Sequence, residues 1–89
     1  MAYNVIFTDI ALKNLKKCLK SVQQQILNKI EQLAENPMSA PNVKQLVNFS
    51  LSYRLRVGDY RILFEREDQL KIIDIIDILH RSKAYKRRR

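Results

Sequence analysis

SYRLRVGDYRILFE, residues 52–65, holds the single glycine of the chain, Gly58, between two alternating segments. Val57-Gly58-Asp59-Tyr60 is a two-residue hairpin pattern. Glycine at the first central position suits a type II′ turn, which needs positive φ there. That register sets Val57 opposite Tyr60, Arg56 opposite Arg61, Leu55 opposite Ile62 and Arg54 opposite Leu63. Side chains alternate along a strand. Tyr53, Leu55, Val57, Tyr60, Ile62 and Phe64 therefore share the core face, and Arg54, Arg56 and Arg61 share the other. Like charges directly opposite each other destabilise a sheet, so carboxylates, water or a bound anion must offset the repulsion. Glu65 is a candidate carboxylate on that face. Two readings stand: a solvated sheet face with partial internal pairing, or a phosphate clamp. Guanidinium groups bind phosphate in bidentate fashion and stay charged at every cellular pH.

The flanks supply the rest of a small α+β fold. Leu51–Val57 and Tyr60–Glu65 are the hairpin strands, and EDQ (67–69) is a turn. LKIIDIIDIL (70–79) is a third strand whose nearly continuous apolar run places it inside the sheet. Upstream, AYNVIF (2–7) reads as a strand. TDIALKNLKKCLKS (8–21) reads as a helix capped by Thr8 or Asp9, with Ile10, Leu12, Leu15 and Leu19 as its apolar stripe. Ser21 with Gln24 is a capping-box pattern for a second helix carrying Val22, Ile26, Ile30 and Leu33. This helix ends near Asn36, before Pro37. PMSAPNVKQLVNFS (37–50) is the longest irregular stretch; it contains Lys44, and Leu46 is expected to tuck inward. The predicted order is β-α-α-β-β-β, a helical hairpin on one face of a small, mostly antiparallel sheet. One domain spans 1–89: strand and helices over 1–36, a β-meander over 51–79, and a basic tail over 80–89.

Bulk properties narrow the partners. Eighty-nine residues make one domain. The net charge of +8 and pI near 9.9 are met by a solvated lysine-rich face or by a polyanionic partner: nucleic acid, ribosome or an acidic protein. Cys18 is the only cysteine, which excludes a disulfide within the chain and fits a reducing cytoplasm. MAYNVIFTDIALKNLKK lacks the basic leader and sustained apolar core of a signal peptide. IIDIIDIL is too short to span a bilayer and carries two aspartates, so no membrane association is expected. His80 and Cys18 are the only non-carboxylate metal ligands, and no zinc site is visible. Nor is there a glycine-rich phosphate loop or an arguable serine triad; neither metal nor cofactor is expected.

A second basic cluster follows the last strand. In HRSKAY (80–85), Arg81 and Tyr85 are four apart and share a face if the segment is a helical turn. His80, the only histidine, is the one side chain whose ordinary pKa lies near 7, although a lone histidine after a strand is more often structural. Tyr85 sits among Lys83, Lys86 and Arg87–Arg89, a setting that suits base stacking better than deep burial.

At these residues the chain resembles the RelE/ParE superfamily of bacterial toxins, and the RelE branch best. The resemblance covers essentially the whole chain, through its length, element order, YRLRVGDYRILFE and the later HRSKAY. It implies a metal-independent endoribonuclease that cuts messenger RNA in the ribosomal A site. The 2′-hydroxyl of one nucleotide attacks the adjoining phosphate and leaves a cyclic phosphate. It implies an acidic, partly disordered cognate antitoxin, and operator DNA bound only by the toxin–antitoxin complex. By position, Arg61 matches the hairpin arginine that holds the scissile phosphate. Arg81 matches the C-terminal arginine that stabilises the transition state or leaving oxygen. Tyr85 matches the tyrosine that stacks on or orients the substrate. Arg54 and Arg56 stand where the family's well-known member has lysines. Arginine is a poor general base, so these two are limited to charge stabilisation and RNA binding, with Lys44, Lys83 and Arg87 as further RNA-binding candidates. Tyr85, His80 or a ribosomal group remain open as the base. A gyrase-directed ParE-like toxin and a non-catalytic RNA- or ribosome-binding module are the competing readings.

Overall fold

The computed structural model describes residues 2–46 and 52–82. β1 (Asn4–Phe7) is followed by α1 (Asp9–Lys16) and α2 (Lys20–Glu35). Then come β2 (Val43–Gln45), β3 (Ser52–Val57), β4 (Tyr60–Glu67) and β5 (Ile72–His80). The strands form one sheet in the order β1-β5-β4-β3-β2. β1 runs parallel to β5, and every other pair is antiparallel. β5 lies inside the sheet as its apolar run predicts, and β4 is the middle strand. The turn expected at 67–69 falls slightly later, with Lys71 left-handed at φ 56 just before β5.

β2 was not expected: it lies in the stretch read as irregular. It adds to the free edge of β3, with Lys44 opposite Arg54 and Val43 opposite Leu55. The Arg56 N–H donates to the Asn42 carbonyl at 2.9 Å, and the Leu46 N–H to the Ser52 carbonyl at 2.9 Å. Three residues beside prolines carry no periodic signal. The strand exists because an open sheet edge offers unpaired backbone groups.

The hairpin register is the one read from the Gly58 turn, from Ser52↔Glu65 to Val57↔Tyr60. Across β4 and β5 the register slips once: Leu63 faces Asp77 and Phe64 faces Ile75, leaving Ile76 over. This bulge reverses the inside–outside alternation of β5. Ile73 and Ile75 before it, and Ile78 after it, are consequently all buried. A bulge explains the apolar run as well as burial on both faces would. These residues join Ile26, Ile30 and Leu33 of α2, and Leu55, Ile62 and Phe64 of the hairpin, in one core.

α1 differs from the expected stripe. Thr8 caps it: its Oγ1 accepts from the Ala11 N–H at 3.1 Å and donates to the Ile76 carbonyl at 2.7 Å. Its own N–H donates to the Ile75 carbonyl at 3.0 Å. These ties to the β5 bulge set the rotation of α1, so Ala11 and Leu15 face the core while Ile10, Leu12 and Leu19 are exposed. Ser21 is not a cap. Leu19 occupies that position without a side-chain bond, and α2 begins at Lys20. Gln23 ties the preceding turn to the helix, its Nε2 donating to the Cys18 carbonyl at 2.9 Å. α2 otherwise buries the predicted face and ends at Asn36 before Pro37.

Thr8 therefore couples helix start to sheet irregularity. Thr8→Ala is expected to cost about 1–2 kcal/mol in urea unfolding, the range of a strong N-cap. Thr8→Ser, which keeps both hydroxyl bonds, should retain most of that. Equal losses for the two variants would show that the methyl group, not the cap, carries the effect.

Candidate functional site

Two cross-strand pairs build the basic face. Gly58 has φ 56, whereas Asp59 is not left-handed, as a type II′ turn requires. That turn sets Arg56 opposite Arg61. The unexpected β2 then brings Lys44 opposite Arg54. Lys44, Arg54, Arg56 and Arg61, with Asn42 and Val43, line a groove of about 350 Å³ that has no carboxylate among its described residues.

Arg61 is the unusual member. It is only 7% exposed. Its Nη1 donates to the Gly58 carbonyl at 3.3 Å and the Tyr60 carbonyl at 3.2 Å, both at or beyond the long end of the usual range. Among the described residues none of the four cations has an ion pair, and Glu65 does not serve as counter-charge. Taking an ion out of water costs on the order of several kcal/mol. Two long carbonyl contacts offset only part of that cost, and the Arg56 charge across the ladder adds to it. The groove thus gathers four cations with no carboxylate among its described lining residues.

Arg81 reaches the same hairpin tip from β5. Its N–H donates to the Asp59 carbonyl at 2.7 Å, and its exposed guanidinium lies 3.7 Å from the Asp59 carboxylate. An ion pair this exposed contributes little, so the Arg81 head can turn to another anion while its backbone stays anchored.

His80 is placed apart from the arginines. It pairs with Tyr60, on the core-side face, and their rings meet edge-on at 5.3 Å. The Ser82 N–H donates to its Nδ1 at 3.3 Å. It lines a separate cavity of about 180 Å³ with Asn14, Lys17, Cys18 and Tyr60. A hydrogen bond with the Cys18 thiol, and then burial, raise the Tyr60 pKa above its ordinary value. Lys83, Tyr85 and Arg87 lie outside the described residues.

Sequence reasoning missed Asn42. It is left-handed at φ 65, and its carbonyl takes the Arg56 N–H. The available signal was Pro41-Asn42: asparagine tolerates this conformation better than most residues and follows proline readily in turns.

The geometry has counterparts. The family model for the ParE toxin of type II toxin–antitoxin systems matches residues 5–85. This chain belongs to that toxin family. A putative RelE-like toxin protein of Escherichia coli is 26% identical over 84 residues, 94% of this chain and 88% of its own length. The mRNA interferase toxin RelE of Escherichia coli K12 is 25% identical over the same share of both. Among solved structures, the archaeal RelE–RelB complex from Pyrococcus horikoshii OT3 matches with a TM-score of 0.81 and 25% identity. That match covers 93% of this chain and 99% of the other. The five-stranded sheet with two helices is thus the RelE/ParE fold, and this toxin carries the basic groove on it.

If Arg61 is held at a cost to the fold, removing its charge should relieve it. Arg61→Met is expected to stay folded and to unfold at higher urea, by about 1–4 kcal/mol. Pyrophosphate should raise the melting temperature of the wild-type toxin and leave that of the variant nearly unchanged. A destabilised variant, or equal shifts with pyrophosphate, would refute the unbalanced-cation reading.

Proposed function

We propose that this toxin is a ribosome-dependent endoribonuclease that cuts messenger RNA in the A site. The observation that carries the reading is the buried Arg61, without a counter-ion among the described residues, set in a groove of four cations. The 25–26% identity to RelE toxins over most of the chain supports it.

In this reading the scissile phosphate enters the groove. The 2′-oxygen of one nucleotide forms a bond to phosphorus, and the bond to the 5′-oxygen of the next breaks. The products are a 2′,3′-cyclic phosphate and a 5′-hydroxyl that takes up a proton. Negative charge gathers on the phosphoryl oxygens in the transition state. Preorganised donors are strongest there because they need not reorient. Arg61 holds the phosphate, and Arg54, Arg56 and Lys44 spread the remaining charge. Arg81, hinged at the hairpin tip, stabilises the leaving oxygen. Tyr85 orients a base, and Lys83 and Arg87 contact the backbone. Among its described residues the groove wall contains neither histidine nor carboxylate, and His80 lines the other cavity. The proton acceptor is therefore sought in Tyr85 or a ribosomal group. Alignment by the ribosome can contribute several kcal/mol, which fits a site rich in cations and poor in bases.

A toxin of this family is held silent by its cognate antitoxin. The chemistry of the groove calls for an acidic antitoxin segment, ordered on binding. Because the matching family model is that of ParE toxins, DNA gyrase is the competing target.

Primer extension on a message programmed into purified ribosomes should show cuts within A-site codons. Arg61→Ala and Arg81→Ala should each lower cutting by about a hundredfold or more, with unchanged circular dichroism. Uncut message with folded wild-type toxin would overturn the proposal, and gyrase supercoiling blocked by the toxin would replace it with the competing one.

A further inference from the structure

A second groove adjoins the arginine groove and is built of different chemistry. It measures about 410 Å³, within the span of small-ligand sites, roughly 300–1,000 Å³. Its wall is Gln25, Asn28, Lys29 and Gln32 of α2, with Asn42, Arg56, Val57 and Gly58. Asn42 and Arg56 line both grooves, so the two are continuous around the end of β3.

The residues of α2 are spaced i, i+3, i+4 and i+7, which puts them on one face of the helix. Asn28 is steadied by Gln24, whose Nε2 donates to its Oδ1 at 3.1 Å, leaving the Asn28 amide nitrogen free to donate. The side-chain amides of Gln25, Gln32 and Asn42 make no hydrogen bond among the described residues. Phosphate needs only donors, and the arginine groove supplies them. An amide presents a donor and an acceptor together, as the edge of a nucleobase does. Asparagine and glutamine match the adenine edge in bidentate fashion.

We propose that Gln25, Asn28, Gln32 and Asn42 form a nucleobase subsite that holds the base next to the phosphate in the arginine groove and favours adenine. It rests on the reading of that groove as a site for RNA phosphate. Asn42 is the pivot between the two, because its carbonyl is tied to the backbone of Arg56 and the residue lines both grooves.

The test uses the full-length isotope-labelled toxin and 2′-O-methylated tetra-adenylate and tetra-uridylate, which bind without being cut, with an acidic tetrapeptide as control. Nuclear magnetic resonance follows the side-chain amides and the arginine Nε–H groups. Both RNAs should move the arginine signals. Tetra-adenylate should also move the Gln25, Asn28, Gln32 and Asn42 amides and bind roughly tenfold more tightly than tetra-uridylate. Asn42→Gly suits the positive φ and removes the amide, so it should erase most of that preference while the fold and the arginine shifts persist. If only arginine signals move, the subsite is refuted and the phosphate groove stands. If no signal moves, both fall. Amide shifts that are equal for the two RNAs, or matched by the acidic peptide, refute base recognition.

Discussion

Two arginines facing each other across a tight hairpin, one of them almost fully buried, form an arrangement that folding alone disfavours. The rest of the structure around the hairpin holds it in place. The Gly58 turn fixes the register that sets Arg56 against Arg61. Ile62 and Phe64, on the opposite face of the same strand, are buried in the core. A slip of one residue would send those side chains to the wrong face. Apolar burial excludes the one-residue slip and the Gly58 turn fixes the register, so together they enforce the cation pair. Burial of one large apolar side chain contributes about 1.5–3 kcal/mol, and several such residues outweigh one strained electrostatic contact.

The hairpin was legible in the sequence because its signals are local. One glycine and strict alternation give both the turn and the two faces. α2 was legible for the same reason, through its helical periodicity. Features set by tertiary partners were not. The rotation of α1 follows from the hydroxyl of Thr8 reaching Ile76, a contact across most of the chain. For that reason Ile10 and Leu12 looked like core and are exposed. β2 forms only because β3 leaves an edge open, and its sequence carries no strand pattern of its own. Yet β2 completes the candidate site by bringing Lys44 beside Arg54. The groove was half readable from the hairpin, and its other half depended on a strand without a local signature.

The division between the two faces of the sheet also constrains the chemistry. Tyr60 and His80 alternate out of phase with Arg61, so they share the side of Cys18 and the helices. The His80 imidazole is separated from the groove cations by the sheet. A site partitioned in this way can bind and polarise a phosphate, but the groove residues supply no conventional base. That asymmetry fits the proposed reading, in which another body positions the nucleophile.

The same partition bears on control. A groove of four cations attracts any flexible acidic chain, because the field acts on charge before shape is tested. Inhibition by an acidic segment therefore needs no mimicry of RNA. It needs enough carboxylates to balance Arg54, Arg56, Arg61 and Lys44, and enough apolar contact to hold them there. Exposed Ile10, Leu12 and Leu19 lie on or just beyond α1. α1 packs against β5 and β1, at the other end of the sheet from the β2 edge beside the groove. An inhibitor that used both the charges and these apolar residues would have to wrap around the toxin, so an extended chain fits the task better than a compact domain.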